Sequence, residues 1–201
     1  MEISARLSDK IFVSKSILAY EIGIKGENMV LKTTRLNIRY IESDDWKNLI
    51  EIWKDFNQSE FSKYDVPHLL DEAQVQEKAK CWAKASPHQE HMFFAVCIQK
   101  EMIGYIDFHK NDCGYECGYC FHSKSHGMGY AKESMRMLME WLSRDGSKQF
   151  VAGTALDNLP SVRLLTSLGF KKIREEKVSF YKDENDKDIY FDGGIFMINM
   201  G

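Results

Sequence analysis

The stretch 122-HSKSHGMGYAKESMRMLMEWL-142 runs a polar loop, punctuated by Gly127 and Gly129, straight into an apolar-periodic segment. Ala131, Met135, Leu138 and Leu142 recur at helical spacing and form one stripe. A helix therefore starts close after Gly129. Glycine there permits positive φ and lets other atoms approach the main chain closely. Unpaired N–H groups converge at such a helix start, and the helix dipole adds roughly half a positive charge. The pattern predicts an anion site. A Walker loop needs G-x4-G-K-S/T, which is absent, and a dinucleotide fingerprint needs a third glycine where Lys132 stands. The pyrophosphate of coenzyme A remains, with Lys124, His126 and Lys132 available as electrostatic support.

The elements around this loop are legible in order. Segment 35-RLNIRYI-41 alternates as a half-exposed strand does, and 43-SDDWKNLIEIWKDF-56 reads as a helix opened by Ser43, Asp44 and Asp45. Asp71 and Gln74 form a capping box for a second helix running through Trp82 and Ala83. The tryptophans at helical spacing read as core. Segments 92-MFFAVCIQ-99 and 102-MIGYIDFH-109 form a hairpin about Lys100-Glu101, and 115-YECGYCFH-122 is the next strand. After the glycine loop come a strand at 149–155 and a short helix, 160-PSVRLLTSL-168, stopped by Gly169. Two closing strands, 171–182 and 188–199, flank the acidic turn 183-DENDK-187. Strand, two helices, three strands, helix, strand, helix and two strands make a mixed α/β (α+β) chain.

With 201 residues the chain supports one well-buried core. A net charge of −3 and a pI near 6.1 lack the basic field of a general nucleic-acid binder. The longest apolar run, 92-MFFAVCI-98, is far short of a membrane span, and no signal pattern opens the chain, so a cytoplasmic location is expected. Five cysteines, an odd number, point to free thiols. Cys113, Cys117, Cys120 and His122 have a spacing that invites zinc, but side-chain alternation along a strand turns Cys117 away from Cys120 and His122, so no metal is expected. Residues 1–28 differ in pattern from the rest of the chain, although 11-IFVSKSILAYEIGI-24 is β-prone. Lys25-Gly26-Glu27-Asn28 is what adenine-rich codons of a ribosome-binding tract would encode, so Met29 is the expected native start, residues 1–28 an extension and 29–201 the domain.

These segments together resemble a family. 124-KSHGMGYA-131 is similar to the acyl-CoA signature Gln/Arg-x-x-Gly-x-Gly/Ala of the GNAT N-acetyltransferases, with Lys124 in place of Gln or Arg. 33-TTRLNIRYIESDD-45 resembles the T-x-R-L-x-L-R opening of the RimJ/RimL-like branch, which acetylates ribosomal-protein N-termini. 116-ECGYCF-121 is similar to that branch's Glu-Ile/Leu-Gly-Tyr strand, and 158-NLPSVRLLTSLGF-170 to its N-x-x-S-x-x-L-x-x-x-L-G-F helix.

The resemblance implies a mostly antiparallel sheet, splayed between the strands at 115–122 and 149–155, with helices on both faces. It implies acetyl-CoA as cosubstrate: its pantetheine arm against the backbone of Cys120, Phe121 and His122, and its pyrophosphate on Lys124, His126, Gly127, Met128, Gly129, Tyr130 and Ala131, with Asn158 as a further ligand or a helix cap. The acceptor would be a primary amine: a protein N-terminus, a polyamine, an aminoglycoside or an amino acid. In many members a tyrosine seven residues after the motif asparagine is the acid; here that position is Leu165. The branch's alternative is Ser161, with helix capping as its plainer role, and Glu116 is the expected base, with His109 and His122 as rivals. Leu165 also leaves open a catalytically silent CoA-binding module. The acceptor walls would be 57-NQSEFSKYDVPHLL-70 and 180-FYKDENDKDIYFDGG-194, carrying Glu60, Asp65, Asp183, Glu184, Asp186 and Asp192. Neither membrane nor nucleic acid is an expected partner, and the chain would be a monomer or homodimer.

Overall fold

Alternating strands paired with amphipathic helices bury both faces of one sheet. The computed structural model describes residues 21–25, 28–88, 90–144, 146 and 148–200. The strands are β1 (Glu21–Lys25), β2 (Asn28–Lys32), β3 (Asn37–Tyr40), β4 (His91–Ile98), β5 (Glu101–Asn111), β6 (Gly114–Phe121), β7 (Gln149–Ala155), β8 (Lys171–Lys182) and β9 (Asp188–Asn199). The helices are α1 (Trp46–Asn57), α2 (Glu72–Ala85), α3 (Tyr130–Arg144) and α4 (Leu159–Leu168). Among the described residues they form one nine-stranded sheet in the order β1-β2-β3-β4-β5-β6-β7-β9-β8. Every pairing is antiparallel except β6 with β7. The β-prone segment at 11–24 lies mostly outside the described residues; its last part falls in β1, paired with β2. Sequence reading missed β2, because its inward residues Met29 and Leu31 make so short an alternation that it does not stand out.

β4 is buried on both sides. Phe94 and Val96 join Phe108, Phe150, Met135, Leu138 and Leu165 on the α3/α4 face, while Phe93 and Ala95 join Ile52, Trp53, Val75 and Tyr105 on the α1/α2 face. Each large side chain so buried stabilises the fold by roughly 1.5–3 kcal/mol. The helix ends are fixed locally. Asp71 accepts from the Gln74 N–H, as expected, and Gly169 stops α4 at φ 99°. The start of α1 differs from expectation: residues 43–45 form a 3-10 turn, and the buried Asp45 bonds both guanidinium nitrogens of Arg39 at 2.6 and 2.8 Å. That pair ties β3 to the start of α1, and the same carboxylate accepts the Glu42 N–H at 2.8 Å in the capping box of the 3-10 turn. β9 turns back to lie between β7 and β8, which leaves the highly charged β8 as an edge strand whose charges oppose further pairing. Among the described residues no helix is long and apolar enough to cross a membrane.

Candidate active site

The sheet opens where its one parallel pairing ends. β6 and β7 share only three rungs, Gly114–Gln149, Tyr115–Phe150 and Glu116–Val151, and then diverge. From Cys117 to Phe121 the side of β6 away from β5 has no strand partner. Antiparallel pairing alternates which residues bond across the ladder. His122 donates its N–H to the Ile103 carbonyl of β5 at 3.0 Å, so Cys120 and Gly118 also spend their backbone on β5. The backbone groups of Cys117, Tyr119 and Phe121 face the open fork. Of the three residues expected beside pantetheine, Phe121 alone turns its main chain there. Its carbonyl accepts the Nε2–H of His126 at 2.9 Å, which folds the adjoining loop back over the end of β6. Cys117 points into the α3/α4 core and Cys120 toward α1 and α2, and among the described residues no three His, Cys, Asp or Glu side chains are grouped as metal ligands.

At the mouth of the fork the glycine loop has the expected geometry. Gly127 and Gly129 take φ of 74° and 78°, and α3 begins at Tyr130. A Cβ on Gly127 would meet no other heavy atom within 4 Å, so open space lies over the loop. These features fit a diphosphate: a positive-φ glycine turn at a helix start with room above it. Lys124, His126, Met128 and Gly129 are exposed around it, and Ala131 lies in the first turn of α3. Sequence reading missed the loop's anchor, Arg35. Its guanidinium donates to the Met128 carbonyl at 3.0 Å and to Glu133 at 2.8 Å, and lies 4.6 Å from the centre of the Tyr130 ring. Thr33 bonds the same Glu133 carboxylate. Both residues belong to the T-x-R opening, so the motif held the signal while their contact partners were out of sight.

The loop's other anchor is Asp55 of α1, which accepts both the backbone N–H and the hydroxyl of Ser123 at 2.7 and 2.6 Å, with His122 Nδ1 at 3.5 Å. Burial acts to raise the Asp55 pKa, but the Ser123 hydrogen bonds and the neighbouring histidines win and hold it below the ordinary value.

Across the fork, Ser161 on α4 meets Tyr119 on β6, hydroxyl to hydroxyl, at 2.6 Å. Asn158 is the helix cap: its side-chain oxygen accepts the Ser161 N–H at 3.3 Å. The capping role weighed for Ser161 thus belongs to Asn158, and the Ser161 hydroxyl is turned to Tyr119 instead. Burial raises the Tyr119 pKa, against the opposing effect of the Ser161 hydrogen bond, so the phenol stays protonated and able to donate. Leu165 is wholly buried in the core.

On the α1/α2 face, Glu116 is exposed and sits on the last closed rung of the fork, opposite His109 of β5. The two expected acceptor walls do touch. Tyr181 donates to the Ser62 carbonyl at 2.9 Å, and the Tyr64 and Phe191 rings are 5.3 Å apart. A cavity of about 490 Å3 lies between the linker and α2, lined in part by Trp53, Asp65, His68 and Lys78. Three of the six acids expected to attract an ammonium are already engaged. Asp183 accepts the backbone N–H groups of Asn185 and Lys187, Asp186 pairs with Lys182 at 2.9 Å, and Asp192 pairs with Lys177 at 2.6 Å.

A splayed sheet with a glycine turn at its mouth defines a class, and comparison with known proteins agrees. Residues 35–171 match the model described as Acetyltransferase (GNAT) domain, and the chain belongs to this family of N-acetyltransferases. It is 26% identical over 149 residues to the uncharacterized N-acetyltransferase YnaD of Bacillus subtilis, covering 72% of this chain and 84% of that one. Its fold is similar to that of RimL, the ribosomal L7/L12 α-N-protein acetyltransferase solved in complex with coenzyme A. The TM-score is 0.72 at 18% identity, over 83% of this chain and 95% of RimL. The acetyltransferase from Salmonella typhimurium that modifies the N-terminal serine of L7/L12 gives a TM-score of 0.72 at 17% identity, over 84% and 96% of the two chains. Enzymes of the family use acetyl-CoA.

Proposed function

We propose that this chain transfers acetyl from acetyl-CoA to a primary amine at the fork between β6 and β7. The observation that carries this reading is the fork itself, whose open β6 edge leads directly into the positive-φ glycine loop. The N–H groups at residues 127–131 would hold the diphosphate, with Arg35 and Asp55 keeping the loop in place. The backbone of Tyr119 and Phe121 would bond the pantetheine amides, and the acetyl group would lie near the apex. The Tyr119–Ser161 hydroxyl pair would protonate the departing thiolate. A thiol with a pKa of about 8.5 leaves with little help at neutral pH, so one hydroxyl donor suffices. The amine would approach from the α1/α2 face, between the linker 57–70 and the β8–β9 hairpin.

The test is release of free thiol from acetyl-CoA with a panel of amines: peptides with N-terminal serine or alanine, polyamines, aminoglycosides and amino acids. Amine-dependent thiol release, with the acetylated product found by mass spectrometry, supports the reading and names the acceptor. Tight acetyl-CoA binding with no thiol release from any amine would make the chain a CoA-binding module instead.

A further inference from the structure

Acetylation of an ammonium must dispose of two protons. R–NH3+ and the thioester become R–NH–acetyl, the free thiol and one H+. The C–N bond forms, the C–S bond breaks, one nitrogen proton is balanced by the one gained at sulfur, and the other must be taken by a base. The base must reach the apex of the fork on the face from which the amine arrives. Glu116 sits one rung short of the opening, where β6 is still paired with Val151.

The first residue of β6 beyond that rung whose side-chain direction is the α1/α2 face is Gly118, and it has no side chain. Its cross-strand partner is Asp107 of β5. The Asp107 carboxylate fills the vacated space: a Cβ on Gly118 would lie 2.7 Å from Oδ1 and 2.9 Å from Oδ2. The next residue, Tyr119, carries the hydroxyl pair on the opposite face. A carboxylate and a proton donor therefore flank the apex from the two sides of β6, as the two proton movements require.

Asp107 is held in place. Its Oδ1 lies 3.0 Å from His109 Nε2, and His109 Nδ1 lies 2.9 Å from His91 Nδ1 on β4. Both His109 ring nitrogens are thus engaged, while the Asp107 side chain keeps 16% of its surface accessible. We propose that Asp107 binds the acceptor ammonium and takes its proton, and that His109, steadied by His91, is the positioning residue that aims the carboxylate. This rests on the transfer reaction proposed above. The groups facing the pair are Tyr105 and Phe93 from β5 and β4 and Glu116 and Cys120 from β6, while Asp65 of the linker acts on Tyr105 and Cys120. Hydrogen bonding to Asp107 raises the His109 pKa above its ordinary value, against the effect of burial and with Glu116 assisting. Protonated His109 places a positive charge beside Asp107 and repels the incoming ammonium. Turnover should therefore rise with pH as His109 loses its proton, above the ordinary imidazole value of about 6.5.

The test uses the full chain and the best amine from the panel. For Asp107→Asn the expected result is a fall in kcat/KM for the amine of about a hundredfold or more. Acetyl-CoA affinity, read by calorimetry, should hold within about twofold, since the glycine loop is untouched. His109→Gln keeps an N–H donor for Asp107 but cannot titrate, so its pH–rate profile should lose the acid limb. Asp107→Asn turnover near wild type overturns the proposal, as does a parallel loss of acetyl-CoA binding. An acid limb unchanged in His109→Gln overturns the positioning role. If Glu116→Gln loses turnover and Asp107→Asn does not, Glu116 is the base. A wild-type chain that releases no thiol with any amine overturns the transfer reaction and this proposal together, whereas an active wild type with an active Asp107→Asn overturns this proposal alone.

Discussion

Ser161→Ala removes one partner of the 2.6 Å hydroxyl pair and leaves the Tyr119 phenol, raised in pKa by burial, without it. Tyr119 is only partly buried, so the cost stays below the roughly 1–3 kcal/mol of a fully buried unsatisfied donor, and a small drop in thermal stability is expected. The larger readout is kinetic. If the pair protonates the thiolate, turnover should fall about ten- to a hundredfold, or roughly 1.4–2.8 kcal/mol of barrier. The Michaelis constant for acetyl-CoA should change little. Tyr119→Phe should cost a similar factor, because the two hydroxyls act as one donor. The Ser161→Ala/Tyr119→Phe double variant should then be no slower than the slower single variant, within about threefold, rather than showing the product of the two losses. The assay is thiol release at saturating acetyl-CoA for the four proteins of the cycle, with a thermal melt of each. Multiplying losses would refute the shared-donor reasoning. Full turnover in Ser161→Ala with reduced stability would make the contact structural and send the search for the acid elsewhere.

Three further outcomes are expected. Wild-type protein at about a hundredfold excess of acetyl-CoA over its dissociation constant should gain roughly 2.7 kcal/mol of stability; Gly129→Asp puts a charge and a Cβ at φ 78° in the cradle, and should lose that gain while keeping the ligand-free fold, an unchanged melting shift refuting the loop's role. Arg35→Met removes the bonds to Met128 and Glu133, but Arg35 is half exposed, so stability should fall by no more than about 1 kcal/mol while acetyl-CoA affinity by calorimetry drops several-fold; unchanged affinity would remove Arg35 from the site. Asp55 has a depressed pKa, so its contribution to stability is present above the ordinary aspartate value of about 3.9 and is lost as pH falls through its folded value. Asp55→Asn should therefore flatten part of the acid-side loss seen in melts from pH 5 downward, and a curve parallel to wild type would contradict the assignment.

The sequence by itself determined what is local. The helical period of α3, the caps at Asp71 and Gly169, and the tight hairpin, read at Lys100-Glu101 and turning one residue earlier at Gln99-Lys100, depend on neighbours within a turn or two. The glycine loop is local as well, since positive φ at Gly127 and Gly129 is a property of those residues and the helix they open. Four ordered motifs then carried the family and with it the splayed sheet. Tertiary structure decided whatever depends on pairing across the chain. The insertion of β9 between β7 and β8, and the end of the β6–β7 ladder after three rungs, are set by sheet register and twist, which no short window encodes. Arg35 reaches Glu133 across 98 positions and Ser161 reaches Tyr119 across 42. The acids in the closing hairpin looked free in the sequence, but lysines and turn amides claim Asp183, Asp186 and Asp192. Asp107, an ordinary polar position within an apolar strand, gains its place at the fork only because the register sets it over Gly118, where a missing side chain leaves room for a carboxylate.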